Sequence, residues 1–277
     1  MPDWVLQLVN AAIGFFVSAA LFFALEAIFA ARKSQRRWRK DSGTDLTYWF
    51  LTPFVIKGST SGALALFLLS VRGMPQDQLD ALMRGLAYGR GPVAEQPLLL
   101  IILEMLLLSD FLTYWFHRLF HRRPFWRFHA IHHSSEQLDW LSAVRMHPVD
   151  DVLARFAQAI PLMLLGFPII LFTTYLMFLP LYVMLTHANL PWRFGLLRYL
   201  IVSPVFHRWH HTAADEGLNK NFARFFPFLD LIFGTFYLPM DRQPVDFGIA
   251  DNDVPEGYFR QLLHPFWPRS RSKAPVP

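Results

Sequence analysis

The stretch from Val5 to Phe29 carries a single charge, Glu26, and nothing else in the chain restricts its fold more. A bilayer offers the backbone no water to bond, so a segment this apolar must close its own hydrogen bonds as a helix. It exceeds the ~20 residues a membrane crossing requires. The start, Met1-Pro-Asp-Trp4, lacks basic residues and no A-x-A site follows, so the segment reads as a permanent anchor and not a cleaved signal. Directly behind it lie Arg32, Lys33, Arg36, Arg37, Arg39 and Lys40. This run reads as a stop-transfer flank and places that side in the cytoplasm.

Further apolar stretches follow. Residues 48–71 are interrupted by Pro53 and Lys57, a pattern that predicts entry along the interface before crossing. Residues 73–96 are polar, with Gly and Pro, and read as an outside loop. Residues 97–116 form a third span with Glu104 and Asp110 inside it, and ionisable groups at that depth are costly and tend to be functional. Residues 152–185 would make a helix about 50 Å long, too long for a ~30 Å hydrocarbon core, so Gly166-Phe-Pro168 predicts a hairpin of two shorter helices. No long apolar span follows Leu190, and residues 191–277 read as an aqueous or interfacial lobe. Counting crossings, His117 and His187 both arrive at the cytoplasmic edge. The expected fold is an all-α integral membrane protein of four to five transmembrane or re-entrant helices under a cytoplasmic helical cap. Its expected parts are an anchor region (1–96), a catalytic domain (97–240) and a cytoplasmic tail (241–277).

Composition removes several functional classes. The chain is 53% hydrophobic and 17% charged, against about a quarter charged in soluble domains. It has no cysteine, which excludes disulfides, thiolate metal sites and protein-ligated iron–sulfur clusters. It has no G-x-G-x-x-G or Walker pattern for a nucleotide. The net charge of +5 comes from basic residues clustered beside apolar spans, which favours anionic lipid headgroups over nucleic acid.

Eight of the eleven histidines fall in three short motifs: His117-Arg-Leu-Phe-His121, His129-Ala-Ile-His132-His133 and His207-Arg-Trp-His210-His211. On a helix, residues three and four apart share a face, so each motif can aim two or three imidazoles at one point. Neutral imidazole suits zinc, copper, iron or nickel. Eight nitrogens exceed what one tetrahedral zinc takes, so two metals are the natural count.

The segment Asp110-Phe-Leu-Thr-Tyr-Trp-Phe-His117 through His133, together with His207–His211, resembles the fatty acid hydroxylase / sterol desaturase superfamily. Asn219-Lys-Asn-Phe222 and Leu229–Pro239 extend the likeness over roughly residues 100–240. One departure is Asn221-Phe-Ala, where many relatives carry Asn-Tyr-Gly. The resemblance implies a membrane non-haem centre of two iron ions with O2 as oxidant. It implies hydroxylation or desaturation of a membrane lipid (a sterol, carotenoid or fatty acyl chain). Electrons would come from an external ferredoxin or cytochrome b5-like protein with its reductase, and the membrane is expected to be a bacterial inner membrane.

Such family members use further ligands between the second and third boxes. His187 is expected as one, and His147 as ligand or outer-shell partner. Metal-bound histidines donate their second ring N–H to a carboxylate or carbonyl, and Asp110, Asp230 and Asn221 are candidates for such support. His264 reads as structural. Arg118, Arg122, Arg123 and Arg127 read as headgroup contacts, and Tyr114 and Trp115 as an aromatic belt. Rival classes fit less well. A zinc hydrolase needs H-E-x-x-H, which is missing. A haem carrier needs single histidines on facing helices, and a metal transporter needs ligands along a membrane path.

Overall fold

The computed structural model describes residues 1–213, 215–249 and 252–267. In chain order the helices are α1 (Asp3–Phe29), α2 (Ser42–Ser70), α3 (Gln76–Tyr88), α4 (Leu98–Phe120), α5 (Trp126–His133), α6 (Pro148–Leu164), α7 (Ile169–His187), α8 (Pro204–His210), α9 (Phe228–Ile232) and α10 (Tyr258–Leu263). Among the described residues one isolated bridge, Thr212 to Phe247, is the only β pairing.

Helices α1, α2, α4 and α7 are long and apolar enough to cross a membrane. α4 shows how the pattern works. Leu99, Leu103, Leu107, Phe111, Trp115 and Leu119, spaced by four, are all exposed, whereas Ile101, Met105, Ser109 and Thr113 on another row are buried. A fully apolar exposed row on a helix of this length suits lipid contact, while the row carrying Ser and Thr packs inward.

The structure departs from the sequence reading in four places. Residues 73–96 are not a plain loop, because α3 begins after Pro75, ends at Gly89 (φ +94°) and packs on α7. Its apolar residues Leu79, Leu82, Met83 and Leu86 follow the helical repeat, which the polar composition conceals. α2 runs unbroken through Pro53 from Ser42 to Ser70. Arg39 leaves the basic flank and is buried. Tyr114 is buried too and bonds Thr235 at 2.7 Å, so it belongs to the core, while Trp115 stays exposed.

The predicted hairpin is present as α6 and α7. Gly166 adopts φ +93°, and a Cβ there would lie 2.3 Å from the Arg90 carbonyl oxygen. Only glycine permits that conformation without strain at so close an approach.

The two arms return to the end of the bundle where α1 finishes and α2 begins. Asn189, just past α7, exchanges hydrogen bonds with Arg32 beyond α1, at 3.0 Å each way. Arg39 bonds Asp139 through two 2.8 Å contacts and also pairs with Asp45 of α2, which takes Arg145 at 2.6 Å. These two arginines and two aspartates are all buried. Removing one partner of such a set would strand a buried charge. The network therefore pins the 138–147 segment against α2, and that segment lies beside the histidines.

Candidate metal centre

Four helix ends supply the cluster. His117 lies in the last turn of α4 and His121 follows its end. α5 carries His129, His132 and His133, His187 closes α7, and α8 carries His207 and His210, with His211 at its end. Ser203 caps α8 by accepting from the Phe206 N–H at 3.3 Å, with Pro204 at the first helical position. The nine rings form two groups whose nitrogens lie within 4.8 Å of one another: His117, His121, His129, His133 and His210; and His132, His187, His207 and His211. The groups adjoin, with the His133 and His211 rings stacked at 4.3 Å.

Each H-x2-H-H motif is split between the groups, with two of its imidazoles in one group and the third in the other, within the two or three expected to share a point. A helix turns about 100° per residue, so adjacent histidines cannot converge. His129 and His133 serve one group while His132 serves the other; His207 and His211 serve one while His210 serves the other. Residues four apart stay together and the third ring crosses over.

The chemistry of the donor set tests whether metal fits. His117 Nδ1 contacts the Phe222 carbonyl at 2.9 Å, His132 Nδ1 that of Arg145 at 3.0 Å, His187 Nδ1 that of Val183 at 2.7 Å, and His210 Nδ1 that of Lys220 at 2.7 Å. His129 Nδ1 contacts the Asp150 carboxylate at 2.7 Å. These oxygens only accept, so each Nδ1 holds the ring proton and each Nε2 presents a bare lone pair. Yet His117 Nε2 faces His129 Nε2 at 3.0 Å, and His132 Nε2 faces His187 Nε2 at 3.2 Å. With both protons committed elsewhere these contacts are not hydrogen bonds; the two lone pairs face each other, an arrangement that a cation could bridge. His133 Nε2 and His210 Nε2 are buried with no partner at all. Burial holds His132, His133, His207 and His211 well below the ordinary imidazole range and His210 down to about 3, so these rings stay neutral, the form that binds metal.

The other candidates act at one remove. Asp110 touches no histidine; its carboxylate accepts from the backbone N–H groups of Arg224, Phe225 and Phe226 at 3.0, 3.0 and 2.7 Å. Asp230 accepts from Phe222 and Ala223 N–H at 2.8 and 2.9 Å and from Thr235 Oγ1 at 2.6 Å. Burial pushes the Asp230 carboxyl up to about 6 against the pull of these donors. Asn221, at φ +60°, donates to the Phe206 and Tyr237 carbonyls. Together they clamp the loop whose carbonyls, Lys220 and Phe222, orient His210 and His117. The Phe-Ala that replaces Tyr-Gly after Asn221 fits this clamp, since Phe222 and Ala223 are buried and supply its N–H groups.

His147 lies outside both groups. Its Nδ1 accepts from the Val149 N–H at 3.1 Å and caps α6, while its Nε2 meets the Leu262 carbonyl at 3.1 Å. His264 also lies outside. Sequence reasoning missed Asp150, because an acidic pair just after a helix-starting proline is an ordinary N-terminal signature. Asp150→Asn is expected to lower metal affinity by ~10–100-fold, the usual cost of an altered outer-shell partner, read by metal competition with a chelator.

The fold and site define an integral membrane protein with a paired all-histidine site able to hold metal ions. Residues 102–235 match the model of the fatty acid hydroxylase family. It is 34% identical over 169 residues to the ornithine lipid hydroxylase OlsE of Rhizobium tropici, covering 61% of this chain and 51% of that protein. It is 28% identical over 166 residues to the alkylglycerol monooxygenase of Caenorhabditis elegans, covering 58% and 32%. It is 34% identical over 139 residues to the very-long-chain aldehyde decarbonylase GL1-5 of Oryza sativa subsp. indica, covering 46% and 22%. The chain thus spans about half the length of the first relative and less of the others. No solved structure matches it.

Proposed function

We propose that this chain is an O2-dependent lipid hydroxylase whose nine grouped histidines hold two iron ions. The observation that carries the reading is the set of opposed, proton-free Nε2 atoms in two adjoining groups. His117, His121, His129, His133 and His210 would hold one ion, and His132, His187, His207 and His211 the other. Iron bound there would supply the redox chemistry that activates O2 against an unactivated C–H bond.

The chain's own residues do the rest. The carbonyls of Phe222, Lys220, Arg145 and Val183 and the Asp150 carboxylate keep each proton on Nδ1 and fix the ring planes. The buried helix ends exclude water. The exposed apolar row of α4 faces the bilayer, so a lipid enters sideways. The balance is R–H + O2 + two electrons + two protons giving R–OH + H2O. The electrons are assigned to a separate ferredoxin or cytochrome b5-like carrier with its reductase. The basic residues after α1 support a cytoplasmic site, and a bacterial inner membrane is the proposed location. Substrate stays within membrane lipids, a class that fits the ornithine lipid and alkylglycerol of the relatives' names.

Purified protein in lipid vesicles, given a reducing system and isotopically labelled O2, tests this. Labelled oxygen in a lipid product is expected. Loss of two hydrogens without oxygen would make the enzyme a desaturase. No change in any lipid, with metal loaded and reduced, would sink the reading.

A further inference from the structure

Arg208 lies between His207 and His210 on α8 and is only 1% exposed. Its guanidinium sits over the Phe247 ring at 5.0 Å. Its Nε and Nη1 are buried without a hydrogen-bond partner, and it makes no ion pair with a described residue. The charged groups facing it are Glu26 and Arg32. Glu26 takes the Asn189 N–H at 2.9 Å and the Trp140 N–H at 3.4 Å, both on Oε1, and makes no hydrogen bond to Arg208. Arg32 opposes the charge and donates to the Val245 carbonyl at 3.3 Å.

The same chain shows how it otherwise stabilises a buried arginine: Arg39 and Arg145 each bond two carboxylates. Arg208 has none. A desolvated guanidinium with unused donors is costly, and native proteins rarely leave such a group unmatched. Its planar fork fits a carboxylate or a phosphate. Arg208 directly follows His207 on α8, so an anion held by it would lie within a side chain's reach of the histidine groups, off a different face of the helix.

We propose that Arg208 anchors an anionic group, carboxylate or phosphate, on the polar head of the lipid substrate. The lipid part of this assignment rests on the function proposed above. It narrows the substrate from any membrane lipid to one with an anionic or zwitterionic head. Sterols and carotenoids, which carry no anion, fall outside it.

The test uses metal-loaded protein in neutral-detergent micelles and follows thermal unfolding. Dodecanoate or dodecyl phosphate, at a small mole fraction of the micelle, is expected to raise the midpoint by several degrees, and dodecanol is not. Inorganic phosphate producing the same rise at equal concentration would overturn the lipid assignment. Arg208→Met is expected to be more stable than the parent without ligand, since an unpaired buried charge is gone, and to lose the anion-dependent rise. Lower stability in that variant would mean a structural partner, and an unchanged rise would mean another anion site; both overturn the proposal. If Arg208→Met cannot be recovered, Arg208→Lys decides, with anion affinity weakened ~10-fold expected and unchanged affinity contrary. Metal content per chain, measured on the same samples, separates failure here from failure of the iron assignment.

Discussion

His132→Ala and His210→Ala are each expected to abolish lipid oxidation, with losses beyond the ~10–100-fold typical of an outer-shell change. His132 comes from α5 and joins the four-histidine group, whereas His210 comes from α8 and joins the five-histidine group. Each variant thus empties a donor position in a different group while leaving its helix intact. His132→Ala also frees the Arg145 carbonyl, and His210→Ala that of Lys220. Turnover with the native rate in both would contradict the assignment. His147→Ala is the contrasting case. It removes the cap of α6 and should cost about 1 kcal/mol of stability, in the range of lost helix caps, while metal content stays at the native level.

Asp110→Leu is expected to destabilise the protein by on the order of 3 kcal/mol or more, from three stranded backbone N–H groups at ~1–3 kcal/mol each, not fully additive. The loop it releases carries Phe222, whose carbonyl orients His117. Metal retention should therefore fall together with the unfolding midpoint, although Asp110 touches no ligand. Denaturation in neutral detergent with parallel metal analysis reads both. A variant that unfolds earlier yet keeps full metal would show that the loop clamp and the site are uncoupled.

Much of this was legible because two local patterns carry it. The apolar spans and the break at Gly166 predict the membrane helices and their hairpin. The three histidine motifs and His187 name the rings that the structure gathers. What stayed hidden depends on partners distant in the chain. Asp110 meets residues 224–226, and Arg39 meets Asp139 across 100 positions. From sequence, Asp110 resembled a direct histidine partner and Arg39 a surface flank. The true carboxylate partner, Asp150, looked like a helix-start residue, and His147 read as ligand or outer-shell partner because histidine caps have no sequence mark of their own. The split of each H-x2-H-H motif follows from helix geometry alone, but it needs two adjoining groups, one for each direction, to have meaning.

The most direct test of the account is metal content per chain in protein from iron-replete cells, purified in detergent without oxygen. The predicted result is about two irons per chain with no haem absorption, one for each histidine group. One metal per chain, a haem spectrum, or no metal at all would contradict it.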